Sequence, residues 1–261
     1  MPNTIPRIHP TAVIDPSAVI GADTTLGAYS VIGAGVTLGE GCMVHNHVSI
    51  TGPTHIGDGN EFYPFCSIGQ RSQDLKYKEE PTYLEIGNHN SFREFVTVNR
   101  GTAPGSKTQI GSHGNYLAYA HIAHDCTVGS HVIFSNNGTL AGHVTVGDHA
   151  VIGGLSGVHQ FCRIGDHAII GGCTKIVQDV PPFMIADGNP AEVRGVNMVG
   201  LERRGFMPDD IRDLREAYKI IYRSNKNTAQ ALDQLRAQFG SSEAVGAMVA
   251  FITASERGIV R

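Results

Sequence analysis

Hydrophobic residues recur at every sixth position of this chain, in one phase, from Ile8 to Ile176. Of the 29 positions in that register, 26 hold Ile, Leu, Val, Phe or Tyr, and only Asp74, Glu80 and Pro104 break it. Neither the 3.6-residue period of a helix nor the two-residue period of a simple strand accounts for such a run. A repeat this short is a solenoid unit, which cannot bury its apolar side chain alone and does so by stacking on its neighbours. Many units read aliphatic-Gly, as at Ile20-Gly21, Leu26-Gly27, Ile32-Gly33, Leu38-Gly39, Ile56-Gly57, Ile110-Gly111, Val128-Gly129, Val146-Gly147, Ile152-Gly153, Ile164-Gly165 and Ile170-Gly171. Glycine there is expected to serve a turn beside each inward-pointing side chain. The pattern predicts a repetitive domain over residues 1–190. Its three breaks fall in polar stretches carrying Pro or Gly, 70–84 and 100–109, which are expected to loop out of the solenoid and to carry function.

After Pro190 the period changes. Pro208-Asp209-Asp210 reads as a helix start, with Ile211, Leu214, Tyr218 and Ile221 following at helical spacing. A second helix is predicted over Asn227 to Phe239, ended by Gly240, and a third from near Ser241 to about Ser255. Residues 191–261 therefore read as an α-helical domain able to cap the end of the solenoid.

A net charge of −4 gives no electrostatic reason to expect nucleic acid as a partner. No apolar run reaches membrane-spanning length and MPNTIPRIHP has no apolar signal segment, so a cytoplasmic protein without membrane insertion is expected. The five cysteines, at 42, 66, 126, 162 and 173, are read as small core or turn residues in a reducing compartment, without disulfides.

Thirteen histidines are many for this length, and the informative ones cluster in AHIAHDCTVG (120–129), LAGHVTVG (140–147) and GVHQFCRIG (157–165). In a coil of eighteen residues, position n lies beside n+18 at strand spacing, about 4.8 Å. Asp125 is thereby placed next to His143, with His124 beside both, while His121, next to the inward Ile122, faces out. Three readings follow from the spacing. A histidine oriented by an Asp could act as general base toward a hydroxyl attacking an acyl carbon. His121-x-x-His124-x-Cys126 could hold a metal. The histidines could also be plain surface residues.

The repeat itself resembles the hexapeptide-repeat proteins, which implies a mainly β fold: a left-handed parallel β-helix, three hexads to a triangular coil, with a C-terminal α-helical domain. Over nearly the whole chain the sequence further resembles the UDP-N-acetylglucosamine O-acyltransferase family. The motifs that carry the resemblance are QDLKY (73–77), NRGT (99–102), AHIAHDCTVG, TLAGHV, VHQFC, GGC (171–173), QDVPP (178–182), GVNMVGLERRGF (195–206), AYKIIYRS (217–224) and RGIVR.

The resemblance implies transfer of a (3R)-3-hydroxyacyl group from acyl carrier protein to the 3-hydroxyl of UDP-N-acetylglucosamine, the first step of lipid A biosynthesis. It implies His124 as general base, Asp125 as its orienting partner and the Gly142 N–H as an oxyanion donor. Asp74, Lys76, His121, His143, His159, Gln160, Asn197 and Arg203 would line the site. It implies a homotrimer with sites between neighbouring solenoids, and no metal or redox cofactor. Arg204, Arg212, Arg215, Lys219 and Arg223 are candidates for docking the acidic carrier. Two departures from the family pattern are Asn99, where histidine is common, and Gln70, where an acidic residue is common.

The run Ile152-Gly153-Gly154 recurs eighteen residues on as Ile170-Gly171-Gly172. Two stacked turns without side chains would leave a groove for an alkyl chain, with Gly154, Ile169 and Gly172 as its candidate residues. In the family the position of Gly172 measures chain length, and glycine there implies a chain of about fourteen carbons, each methylene contributing roughly 0.8 kcal/mol. Two rivals share the fold. A γ-type carbonic anhydrase would require zinc, and an ice-binding or structural β-helix would show regular rows of Thr that this chain lacks.

Overall fold

The computed structural model describes residues 7–261. Residues 1–6, part of the expected 1–190 domain and of the N-terminal stretch read for a signal segment, lie outside the described residues. The chain winds into a three-walled left-handed prism. Wall I holds nine parallel strands from Val13–Ile14 to Lys175–Ile176, wall II eight from Val19–Ile20 to Arg163–Ile164, and wall III ten, beginning with Thr25–Leu26. Strands pair with the coil above at a separation of eighteen, as in His121 with Thr139 and Thr139 with Gly157.

At two coils the separation grows: Ser67 pairs with Thr97 and Thr97 with His121, thirty and twenty-four residues apart. The insertions are thus twelve and six residues long, whole hexads, which is why the sixfold phase survives across them. They account for the three breaks one for one: Asp74 and Glu80 lie in the first, between strands Ser67–Gln70 and Tyr83–Ile86, and Pro104 in the second, between Thr97–Asn99 and Lys107–Ile110.

From Leu26 onward the hexads of the coils bury their aliphatic residue and, two positions earlier, a second residue that is mostly small. Cys42, Cys66, Cys126 and Cys162 occupy that second position and are buried, whereas Cys173 sits exposed at a turn. A column of rings, Phe62, Phe92, Tyr116 and Phe134, runs up the inside of wall III with centroids 4.7–5.3 Å apart.

The aliphatic-Gly glycines serve a different purpose from the one expected. None of the eleven has positive φ. They are small because stacked corners nearly touch: a Cβ on Gly27 would lie 2.6 Å from the backbone of Asn46, and one on Gly111 2.7 Å from that of Gly129. The left-handed turn falls instead three residues before each buried aliphatic, on residues such as Asp125 (φ 59°), His131 (57°) and His143 (60°).

Wall III runs past the expected boundary at 190: Met184–Asp187 pairs antiparallel with Glu192–Val196. A short helix not foreseen in the sequence, α1 (Met198–Arg203), follows. Then come α2 (Pro208–Tyr222), α3 (Thr228–Gln238) and α4 (Glu243–Thr253), close to their predicted positions. The tail returns to the last coil, where Val260 is buried and its N–H donates to the Asp179 carbonyl. Helix α3 begins in a capping box, with Asn227 accepting from the Gln230 N–H and the Gln230 side chain from the Asn227 N–H. Asn227→Ala should cost about 1 kcal/mol, seen as a fall of roughly 2–4 °C in the thermal midpoint.

Candidate active site

The corner between walls I and II gathers the chemistry. Both insertions leave the prism there, in the two coils directly before the one that turns through His124 and Asp125. Asp125 takes the left-handed turn position, so its carboxylate projects from the corner and folds back toward its neighbour. His124 Nδ1 lies 2.8 Å from Asp125 Oδ2, and the two side chains are only 12% and 8% exposed. His143, one coil on, places Nε2 3.7 Å from the same oxygen, meets the His124 ring edge-on and stacks on Phe161. The adjacency read from eighteen-residue arithmetic is therefore the one the structure has.

Burial would raise the Asp125 pKa. Hydrogen bonds from His124 and the Thr102 N–H, with the Ser106 hydroxyl nearby, outweigh it and hold the carboxyl below its ordinary value. An ionised carboxylate only accepts, so the proton in the His124–Asp125 bond belongs to Nδ1. Nε2 is left with its lone pair free.

Gly142 abuts that ring: a Cβ on it would lie 2.6 Å from His124 Nε2. Among the described residues no backbone carbonyl accepts the Gly142 N–H. His121, on the outer face of wall I, hydrogen-bonds through Nδ1 to Thr97 Oγ1 at 2.7 Å. Its pKa is lowered, first by burial and then by repulsion from His124.

These groups border an open cleft of about 620 Å³ floored by wall I. Of the expected residues, Asp74, His121, His124, His159 and Gln160 line it, joined by Gln73, Thr139, Lys175 and Ile176. Thr97 and Lys175 were not singled out in the sequence: the eighteen-residue period places Lys175 beside Gly157, whereas Thr97 pairs with His121 across twenty-four residues.

Other expected residues lie elsewhere in the chain. Lys76 is exposed on the first insertion, its N–H donating to Asp74 Oδ1 at 2.8 Å. Asn197 caps α1, accepting from the Gly200 N–H, and donates to the His167 carbonyl at 2.9 Å, which puts it at the corner between walls II and III. Arg203, at the end of α1, is exposed near the same corner. Gly154 and Gly172 stack at the third corner, between walls III and I, and Ile169 lies on the adjoining wall. A Cβ on Gly172 would meet only the Gly154 carbonyl oxygen, at 3.5 Å, so there is space beside Gly172 at this corner.

Cys126 departs from the metal triad suggested by spacing. It points into the prism, its thiol against the Ala141 carbonyl and its pKa pushed up to about 12 by burial. The ligand atoms that do converge, within 4.8 Å, are those of His124, Asp125 and His143. Asn99 donates to the Arg71 carbonyl and Gln70 reaches Ser49, and both line a second recess beside Gln73 and Asp74. On α2, Arg212 is engaged by Asp209 and Lys219 by Glu216. No helix among the described residues is long and apolar enough to cross a membrane.

At the second corner, His89, His113, His131, His149 and His167 form an unforeseen ladder of stacked rings, 4.6–5.3 Å apart. Its spacing of 24 and then 18 residues repeats the coil lengths. The His167 pKa is lowered to about 4, mainly by burial and then by His149 and Arg204.

The hexad-built parallel β-helix agrees with the family model for bacterial transferase hexapeptide (six repeats), which matches residues 6–39. A second family model, UDP N-acetylglucosamine O-acyltransferase, domain 2, matches residues 179–260. Solved structures agree over the full length. The chain is 47% identical to LpxA of Acinetobacter baumannii, covering 98% of this chain and all of that one, with a TM-score of 0.95. It is 43% identical to the UDP-N-acetylglucosamine O-acyltransferase of Moraxella catarrhalis, covering 98% and 100%, with a TM-score of 0.94. To the Arabidopsis UDP-N-acetylglucosamine acyltransferase it is 38% identical, covering 97% and 100%, with a TM-score of 0.86. The chain belongs to the UDP-N-acetylglucosamine O-acyltransferase family and is an O-acyltransferase.

Proposed function

We propose that this enzyme transfers a (3R)-3-hydroxyacyl group from acyl carrier protein to the 3-hydroxyl of UDP-N-acetylglucosamine, the opening step of lipid A biosynthesis in the cytoplasm. The observation that carries the mechanism is the His124–Asp125 pair, which fixes the imidazole tautomer and leaves Nε2 free beside Gly142.

In this mechanism Nε2 takes the proton of the 3-hydroxyl as its oxygen attacks the thioester carbon. The negative charge passes to the carbonyl oxygen, where the Gly142 N–H receives it, a contact of a kind worth a few kcal/mol. Asp125 steadies the imidazolium. Collapse of the tetrahedral species breaks the carbon–sulfur bond, and the departing thiolate takes the proton back from His124. The thioester supplies the activation and His124 the proton transfer, so the scheme uses no metal or redox cofactor.

Asp74, His121, His143, His159 and Gln160 belong in this reading to the substrate cleft. Asn197 and Arg203 lie away from it within one chain, which supports a composite site completed by neighbours in a homotrimer, while Lys76 is exposed beside Asp74 on the first insertion. Arg203 there suits a diphosphate, since a guanidinium pairs bidentately with phosphate oxygens. Arg204 and Arg215, free of the ion pairs that engage Arg212 and Lys219, are the stronger candidates for meeting the carrier.

Transfer of a labelled 3-hydroxyacyl chain from acyl carrier protein to UDP-N-acetylglucosamine tests the reaction. Donor length tests the groove at Gly154, Ile169 and Gly172. A preference near fourteen carbons is expected, and Gly172→Met should move it to shorter chains, by about 0.8 kcal/mol of selectivity for each methylene excluded. A wild-type preference for ten carbons would remove the groove assignment.

A further inference from the structure

We propose that Thr102 is a positioning residue for the His124–Asp125 pair, and that through Ser72 it ties the insertion carrying Asp74 to that pair. The inference rests on the general-base reading of His124.

The two oxygens of Asp125 divide their work. Oδ2 serves His124. Oδ1 is buried with it and needs donors of its own, since an unsatisfied buried carboxylate oxygen is costly. The Thr102 N–H supplies one, at 3.2 Å, from the six-residue insertion. Ser106, at the other end of that insertion, has a buried Oγ with no partner of good geometry, yet close enough to Asp125 to contribute to its lowered pKa.

Thr102 also faces the other insertion. Its Oγ1 lies 2.6 Å from Ser72 Oγ, and Ser72 is buried. Ser72 Oγ also accepts the Asp74 N–H at 3.1 Å, and either hydroxyl can donate in its contact with Thr102. A chain of hydrogen bonds thus runs from Asp74, on the rim of the cleft, through Ser72 and Thr102 to Asp125 and His124.

The insertions are also fastened independently of this chain. The Arg100 N–H donates to the Gln70 carbonyl at 2.9 Å, the Gly105 N–H to that of Pro81 at 2.9 Å, and Asn99 to that of Arg71 at 2.8 Å. Removing a hydroxyl from Ser72 or Thr102 therefore leaves the loops and the Thr102 N–H to Asp125 in place and cuts the Ser72–Thr102 contact that holds Thr102 against the pair.

The test is a double-mutant cycle in the full-length protein. Thr102→Val and Ser72→Ala should each lower kcat about 3- to 10-fold, the net weight of one hydrogen bond, with KM for the UDP-sugar and the thermal midpoint nearly unchanged. In an Asp125→Ala background the same substitutions should have no further effect, because coupled residues are non-additive. An equal loss in both backgrounds, or a loss confined to KM, would overturn the proposal. The hydrogen-bonded imidazole N–H proton resonance of His124, assigned by its absence in Asp125→Ala, gives a readout that needs no substrate. A shift or broadening in Thr102→Val is expected, and an unmoved signal would overturn the proposal. Absence of transfer by the unaltered protein would instead remove the functional reading and leave this resonance to judge the geometry.

Discussion

Replacing His124 by Ala should lower acyl transfer by ~10²–10⁴-fold, the span ordinarily lost with a general base, while the protein stays folded. That range corresponds to about 2.7–5.4 kcal/mol of transition-state stabilisation. The two halves of the expectation have separate structural grounds. The chemical half follows from the proton inventory: Asp125 accepts at Nδ1, so Nε2 is the basic atom that faces the cleft. The stability half follows from position. His124 lies on the outside of the corner, beside Ala123 and away from the file of buried aliphatic residues, so its removal leaves no cavity in the core. Single-turnover transfer and thermal unfolding of the same preparation check both. Transfer that survives the substitution would keep the reaction and discard the base.

The second large effect belongs to Gly142. Gly142→Ala should reduce kcat by about 10²-fold, the size of loss that a displacement near 1 Å produces at a reacting group. The backbone tolerates the change, since Gly142 does not have positive φ. The N–H that would meet the oxyanion is retained. What changes is the new methyl carbon, which would lie 2.6 Å from His124 Nε2, well inside contact distance. The imidazole has to swing aside, and it is held by only one hydrogen bond of 2.8 Å. Comparing kcat with the thermal midpoint separates this displacement from general damage. A fully active Gly142→Ala enzyme would mean that the proton leaves toward some atom other than Nε2.

Much of the fold was legible because the solenoid repeats one local rule. The sixfold phase gave the buried file directly, and eighteen-residue stacking gave the contact of His124 and Asp125 with His143. The meaning of the glycines was not legible: a missing side chain looks the same in sequence whether it permits a positive φ or a close approach, and here it is the latter. The left-handed positions were hidden because most are held by His, Phe and Tyr, which carry no turn signal of their own, and only some by Asp, Asn or Gly.

Thr97 and Thr102 were missed for another reason. Stacking by eighteen fails across the insertions, and only the breaks at Asp74, Glu80 and Pro104, read as two hexads and one, restore the pairing of Thr97 with His121. Asn197 and Arg203 show the limit of a single chain. The resemblance places them with the substrate, whereas in one chain they sit at another corner, between walls II and III.

The ring column inside wall III bears on how the insertions are tolerated. Phe92 and Tyr116 belong to the two coils interrupted by the insertions, and both are fully buried. Closing a loop costs entropy that grows only with the logarithm of its length, so each doubling adds about 0.6 kcal/mol. Burying one aromatic side chain contributes about 1.5–3 kcal/mol. The widest detours of the chain thus depart from coils whose interiors are among the most heavily filled, and a longer detour at either place would weaken its coil very little. The corner that holds the chemistry is accordingly the part of the solenoid where the polypeptide is most at liberty to lengthen.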